Sequence, residues 1–281
     1  MLKQRLITAL FLLPMVIWAV LSLPHTVFTV VLSGILLLGA WEWSRIAGIH
    51  HPVWRIGYCL MLALLLALTS WLLRVDTQFL LPIMIGSGIW WLISFAWVMY
   101  FNREQTPSIA LTGLRRAEVG TGLAGFIILL GTFVGLVGLR DKYTQGPMLV
   151  FMLLMLIWIA DSAAYFVGRK FGKHKLAAHV SPGKTWEGVA GAIVAISIAV
   201  LIVSTMLKFD IHQQLLLLMI CLITVFFSIL GDLTESMFKR RAGIKDSGQL
   251  LPGHGGIMDR IDSLTAAAPV FLLGLMLTGL P

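Results

Sequence analysis

Apolar residues in this chain come in long blocks separated by short polar breaks, without the alternation of a strand or the heptad spacing of a coiled coil. Several blocks reach about 18–20 residues, the helix length that crosses a hydrocarbon core of about 30 Å. The pattern predicts nine spans, near residues 6–23, 26–43, 56–73, 78–100, 120–139, 147–168, 188–207, 211–231 and 263–280. A membrane barrel would instead show segments of about ten residues with alternating polarity. The expected fold class is an all-α integral membrane protein, one polytopic domain over residues 1–281 with no internal repeat. The first block is longer than the stretch of about 7–15 apolar residues in a signal peptide, and no small-residue cleavage site follows it. It reads as an uncleaved first span. Pro14 is tolerable there because neighbouring helices can satisfy the freed carbonyl.

Composition agrees. Hydrophobic residues make up 58% of the chain and charged residues 12%, against about 25% charged in a soluble domain. Mean hydropathy is +0.92. There is too little polar surface to wrap a water-soluble globule. The net charge of +8 is explained by where it falls. If the breaks alternate sides, Arg74, Arg140, Lys142 and Lys208 share one side, and the remaining 17 of the 21 Lys and Arg share the other. Basic residues mark cytoplasmic loops, so the N-terminus is expected in the cytoplasm and the C-terminus outside. The basic excess is therefore a topology signal and not a nucleic-acid footprint. Cys59 and Cys221 lie inside apolar blocks without metal-binding spacing and read as small buried hydrophobes.

Two polar connections are long, from about 168 to 187 and from about 232 to 262, and both fall on the cytoplasmic side. A third, Asn102 to Glu118, places Leu111 and Leu114 beside Arg115 and Arg116 and suits a short amphipathic piece in the interface. Five of the 13 acids fall in the second connection. Asp232, Glu235 and Ser236 would share a helix face, and Asp259 and Asp262 stand i, i+3 at the start of the last span. Carboxylates converging from two helix ends suit Mg²⁺, which takes oxygen ligands. They equally suit a charge network with Lys239, Arg240, Lys245 and Arg260. Bases interleaved with acids favour phosphoryl or nucleotidyl transfer, where charge clamps dominate. Pro252-Gly253-His254-Gly255-Gly256 is a Gly-rich turn, a weak anion-binding signal by itself. Gly183-Lys184-Thr185 has the ending of a phosphate-binding P-loop. However, position 178 is Ala178 and no strand is expected before it, so a P-loop is rejected. Asp161 is an acid inside the sixth span, a functional candidate by default that could equally pair with Arg169 or Lys170.

The stretch from Ser236 to Asp262 carries Lys239, Arg240, Lys245, Asp246, Pro252-Gly253-His254-Gly255-Gly256, Asp259 and Arg260. It resembles the signature of the phosphatidate cytidylyltransferase (CDP-diacylglycerol synthase) family. Ser181 to Gly188 and Gly231 to Ser236 are similar to that family too, whereas the first 140 residues or so match only as spans. The resemblance implies CMP transfer from CTP to phosphatidate, yielding CDP-diacylglycerol and pyrophosphate, with Mg²⁺ and a paired cation site whose second ion the sequence does not identify. Under it, Asp232 and Asp259 would hold the metal, with Asp262 and Asp246 in or near its coordination. Lys239, Arg240, Lys245 and Arg260 would neutralise the lipid phosphate and the triphosphate. Ser181, Lys184 and Thr185 would contact CTP, together with Ser236. His254, Gly255 and Gly256 would shape the phosphate pocket. The implied partners are CTP, phosphatidate and the bilayer, with a homodimer admitted. The implied location is a bacterial inner membrane with the site facing the cytoplasm. A CTP-dependent transferase or kinase for another lipid would present similar loops. An ion-coupled transporter would place acids at the bilayer midplane in inverted repeats, a pattern not found here.

Overall fold

The computed structural model describes residues 2–103, 114–250 and 255–280. The described residues form nine α-helices: α1 (Leu2–Ser22), α2 (His25–Ile46), α3 (Pro52–Val75), α4 (Leu80–Arg103), α5 (Leu114–Lys142), α6 (Gly146–Phe171), α7 (Trp186–Met206), α8 (Ile211–Arg241) and α9 (Met258–Thr278). Eight are long and apolar enough to cross a membrane, and α1 contributes the apolar stretch Leu10–Ser22. The all-α membrane architecture expected from the hydrophobic blocks is thus present. Most of the segment between Asn102 and Glu118, including Leu111, lies outside the described residues.

Helix α9 is the axis of the bundle and packs against α2, α4, α5, α6 and α8. Ala266, Ala267, Ala268, Phe271 and Leu272 are completely buried in it. Small residues let helix backbones approach within the membrane, where apolar burial alone gives no drive to associate. Gly135 of α5 makes such an approach: a Cβ there would stand 2.7 Å from the Ala268 carbonyl carbon and the Pro269 nitrogen. Gly231 of α8 does the same against Asp262, whose carbonyl oxygen would be 2.5 Å from an added Cβ. By contrast, α3 and α7 are largely exposed, with residues such as Leu60, Leu64, Val194 and Leu201 facing outward. That is the expected surface where lipid is the solvent.

At the end of the bundle away from the acid-rich segments, the guanidinium of Arg140 donates to the carbonyls of Val20 (2.6 Å) and Leu23. It satisfies orphan carbonyls at the end of α1 and lies over the Phe28 ring, 4.4 Å from its centroid.

Several helices run past their predicted spans, and two of the overruns, in α8 and α9, carry candidate site residues. α8 continues through the acids and bases to Arg241, and α9 begins at Met258. Hydropathy registers only the lipid-buried part of a helix, and backbone hydrogen bonding continues beyond it. Lys239, Arg240 and Arg241 suit the last turn, where cations complement the helix dipole. The connection between α6 and α7 also departs from expectation. It contains an antiparallel hairpin, β1 (Lys175–Ala177) and β2 (Ser181–Thr185), with Lys175 opposite Thr185.

Candidate active site

The hairpin delivers one half of the site. Thr185 ends β2 and caps α7, its hydroxyl accepting from the Gly188 N–H at 3.2 Å. One residue earlier, Lys184 reaches α8 and places its ammonium 2.7 Å from Asp232 Oδ2. Arg240 reaches the other way, its Nε donating to the Val180 carbonyl at 3.4 Å. These two contacts fasten the hairpin to α8. Residues 183–185 belong to a strand and its junction with a helix, so although a short strand does precede them, they do not wrap an anion as a P-loop does.

Helices α8 and α9 deliver the other half. Asp232 accepts from the Ser236 hydroxyl at 3.2 Å, one turn on. Lys239, on the same face, places its ammonium 2.6 Å from Asp259 Oδ1 and 3.4 Å from Glu235. Neither Glu235 carboxylate oxygen has a hydrogen-bond partner, and the side chain is 3% exposed. Asp262 stands one turn after Asp259, its Oδ1 accepting from the Ser263 N–H at 2.8 Å. Asp161 of α6 lies close enough to interact electrostatically with Lys184 and Asp232. Four carboxylates from α8 and α9 thus face two ammonium groups. In a poorly solvated setting that surplus of negative charge is offset by a bound cation or by protonation.

The donor chemistry fits a hard divalent cation. The available ligands are carboxylate oxygens, and both oxygens of Glu235 are buried without a hydrogen-bond partner, with only the longer ion pair to Lys239 beside them. Among the described residues no three Asp, Glu, His or Cys side chains already converge on one point as ligands. The two ammonium groups lie against three of the carboxylates instead.

Other candidate residues fall differently. Ser181 is half-buried on β2, and Lys245, Asp246 and Arg260 are exposed. Gly255 has φ +83°, a left-handed conformation that favours glycine. The amide of Gly256 donates to Asp259 Oδ2 at 2.8 Å. His254 lies outside the described residues, as do Leu251, Pro252 and Gly253.

The profile of the cytidylyltransferase family matches residues 3–278. The chain belongs to the cytidylyltransferase family. It is 42% identical to a phosphatidate cytidylyltransferase of Pseudomonas aeruginosa over 271 residues, 96% of each chain. It is 36% identical to one of Haemophilus influenzae over 293 residues, 96% of this chain and 97% of the relative. A phosphatidate cytidylyltransferase of Bacillus subtilis is 41% identical over 161 residues, covering 54% of this chain and 58% of the relative.

In this cytidylyltransferase family member two residues near Asp259 escaped the sequence reading. Ser247 is completely buried. Its N–H donates to Asp259 Oδ2 at 3.0 Å, and its hydroxyl stands 3.0 Å from the same oxygen. Glu42, 2% exposed in α2, lies 2.9 Å from that hydroxyl. The signal for Glu42 was available, since an acid inside the apolar block 26–43 is costly and calls for a reason. Nothing in the spacing marked Ser247, because only the fold brings it to Asp259.

Proposed function

We propose that this protein is a phosphatidate cytidylyltransferase: it transfers CMP from CTP to phosphatidate, giving CDP-diacylglycerol and pyrophosphate, with Mg²⁺. The observation that carries this reading is the meeting of β2, α8 and α9 through Lys184–Asp232 and Lys239–Asp259. It brings bases and surplus carboxylates to one place at the ends of membrane helices.

The chemistry asks mainly for charge control. A phosphate oxygen of phosphatidate attacks the α-phosphorus of CTP. The new P–O bond forms as the bond from that phosphorus to the bridging oxygen of the β-phosphate breaks, and pyrophosphate leaves with the electron pair. A phosphate monoester, with a second pKa of about 6, is already largely ionised at pH 7 and needs no strong base. The barrier lies in bringing two polyanions into line, so positioning and neutralisation dominate. Asp232, Asp259, Asp262 and Glu235 would hold Mg²⁺. When bound, the ion supplies neutralisation and orientation of phosphate oxygens. Lys184 and Lys239 exchange part of their contact with carboxylates for contact with phosphates as substrates arrive. Lys245, Asp246 and Arg260 line the approach from the exposed side, with Ser181 and Ser236 as hydroxyl donors. Thr185 and Arg240 act through the hairpin they hold. The excess of Lys and Arg on this side of the spans supports a site facing the cytoplasm of a bacterial inner membrane. All of these residues come from one chain, so the reading does not require a homodimer.

The test uses purified protein in detergent micelles containing phosphatidate, CTP and Mg²⁺. Pyrophosphate release that depends on phosphatidate is the expected result. Release that is independent of phosphatidate, or supported equally by a neutral diacylglycerol, would overturn the lipid assignment.

A further inference from the structure

Glu42 is a buried carboxylate beside the candidate site, and its hydrogen bonds come from backbone amides and a hydroxyl. It lines a cavity of about 180 Å³ together with Arg45 and Arg55, but among the described residues no basic side chain comes within ion-pair distance of it. Its oxygens are satisfied from the other direction. Oε1 accepts from the Ile257 N–H at 3.0 Å, and Oε2 accepts from the Met258 N–H at 2.9 Å. The Ser247 hydroxyl lies 2.9 Å from Oε2. Helix α9 starts at Met258 with no side-chain cap of its own, so Glu42 fills that role from α2. A carboxylate at a helix N-terminus satisfies orphan amides and complements the dipole.

The packing around Glu42 has little slack. A Cβ at Gly256 would run into both Glu42 and Ser247, and a Cβ at Gly248 would run into Glu42. Ser247 then links Glu42 to the site. Its hydroxyl oxygen lies 2.9 Å from Glu42 Oε2 and 3.0 Å from Asp259 Oδ2, so its one proton bonds one or the other carboxylate, while its backbone N–H holds Asp259 directly. The amides of Ser247 and Gly256 and the ammonium of Lys239 complete the shell around Asp259.

We propose that Glu42 is a positioning residue for the transfer reaction: through Ser247 and the first-turn amides of α9 it fixes the place and orientation of the Asp259 carboxylate. This rests on the cytidylyltransferase reading above. Glu42 itself touches no reacting atom in this proposal. Its carboxylate is required because both oxygens must accept. In a Glu42→Gln variant the amide NH₂ would face either the Ile257 or the Met258 N–H, donor against donor.

The test compares the wild type with Glu42→Gln, Ser247→Ala and the double variant, each purified in the same detergent. Wild-type transfer is measured first, so failure of the function itself is separated from failure of this inference. Glu42→Gln is expected to lower kcat by about tenfold or more while leaving KM for CTP within about twofold, and Ser247→Ala to lower kcat in the same sense. Because the two act in one chain of contacts, the double variant should be little worse than the poorer single variant. Amide exchange in the peptide spanning 256–262 should accelerate in Glu42→Gln, with exchange across α7 unchanged. Should Glu42→Gln not fold, Ser247→Ala, which leaves both amides capped, decides alone. Unchanged kcat in a folded variant, or multiplicative losses in the double variant, would overturn the proposal.

Discussion

The Lys184 ammonium lies 2.7 Å from the Asp232 carboxylate, and this contact joins the hairpin between α6 and α7 to the inner face of α8. Among the described residues it is a shorter link between the two long polar connections than the 3.4 Å contact of Arg240 with Val180. Both side chains remain about a quarter exposed, at 24% and 29%, so the pair is open to exchange with an incoming phosphate. A partly exposed pair of this kind contributes less to stability than a buried one; its value is in bringing a cation to the acids.

Lys184→Met should therefore leave a folded protein with transfer reduced by about 10²-fold or more, the usual scale for losing one charge-stabilising group. Steady-state kcat/KM checks the first part, and an unchanged elution volume and thermal midpoint check the second.

Lys239 differs because it is 10% exposed, between Glu235 at 3% and Asp259 at 9%. Lys239→Met leaves two buried carboxylates without their cation. Breaking a buried pair from one side costs about 3–5 kcal/mol, so this variant should lose stability as well as turnover. Asp259→Asn is expected to abolish turnover and to lose less stability than Lys239→Met, because Lys239 keeps Glu235 as a partner and the amide keeps one acceptor oxygen. Thermal unfolding in detergent, set beside the transfer assay, distinguishes the two.

Arg140 gives a contrast at the opposite end of the bundle. Arg140→Met frees the Val20 and Leu23 carbonyls from their donor, and a buried polar group left unpaired costs about 1–3 kcal/mol. The thermal midpoint should fall while turnover per folded molecule stays the same.

Much of the fold could be read from the sequence because lipid imposes a simple rule: each span must be apolar and helical. The blocks gave the helices, and the i, i+3, i+4 spacing of Asp232, Glu235 and Ser236 gave their shared face. The pairing of Lys184 with Asp232, and of Lys239 with Asp259, was not legible, because each joins elements whose contact depends on tertiary packing. The hairpin escaped for a different reason. Lys175 to Thr185 is mixed in polarity and Gly-containing, with no alternating pattern, and the hairpin is fastened to α8 by Arg240 and by its own Lys184. Ser247 could not be distinguished from any other loop serine until α2 and α9 were seen to bracket it.

The surplus of carboxylates predicts the effect of metal removal. Chelation should abolish transfer and added Mg²⁺ should restore it. Mg²⁺ alone should also raise the thermal midpoint, because a ligand that binds only the folded state stabilises it. In Asp259→Asn that rise should shrink. Melting curves over a Mg²⁺ titration, without substrates, provide the check.

The most direct measurement follows radiolabel from CTP into the lipid phase, with the label placed either on the α- or on the γ-phosphate. Cytidylyl transfer to phosphatidate predicts that α-label enters the lipid, that γ-label leaves in pyrophosphate, and that both require Mg²⁺. Appearance of γ-label in the lipid would mean phosphoryl transfer by a CTP-dependent kinase and would contradict the assignment.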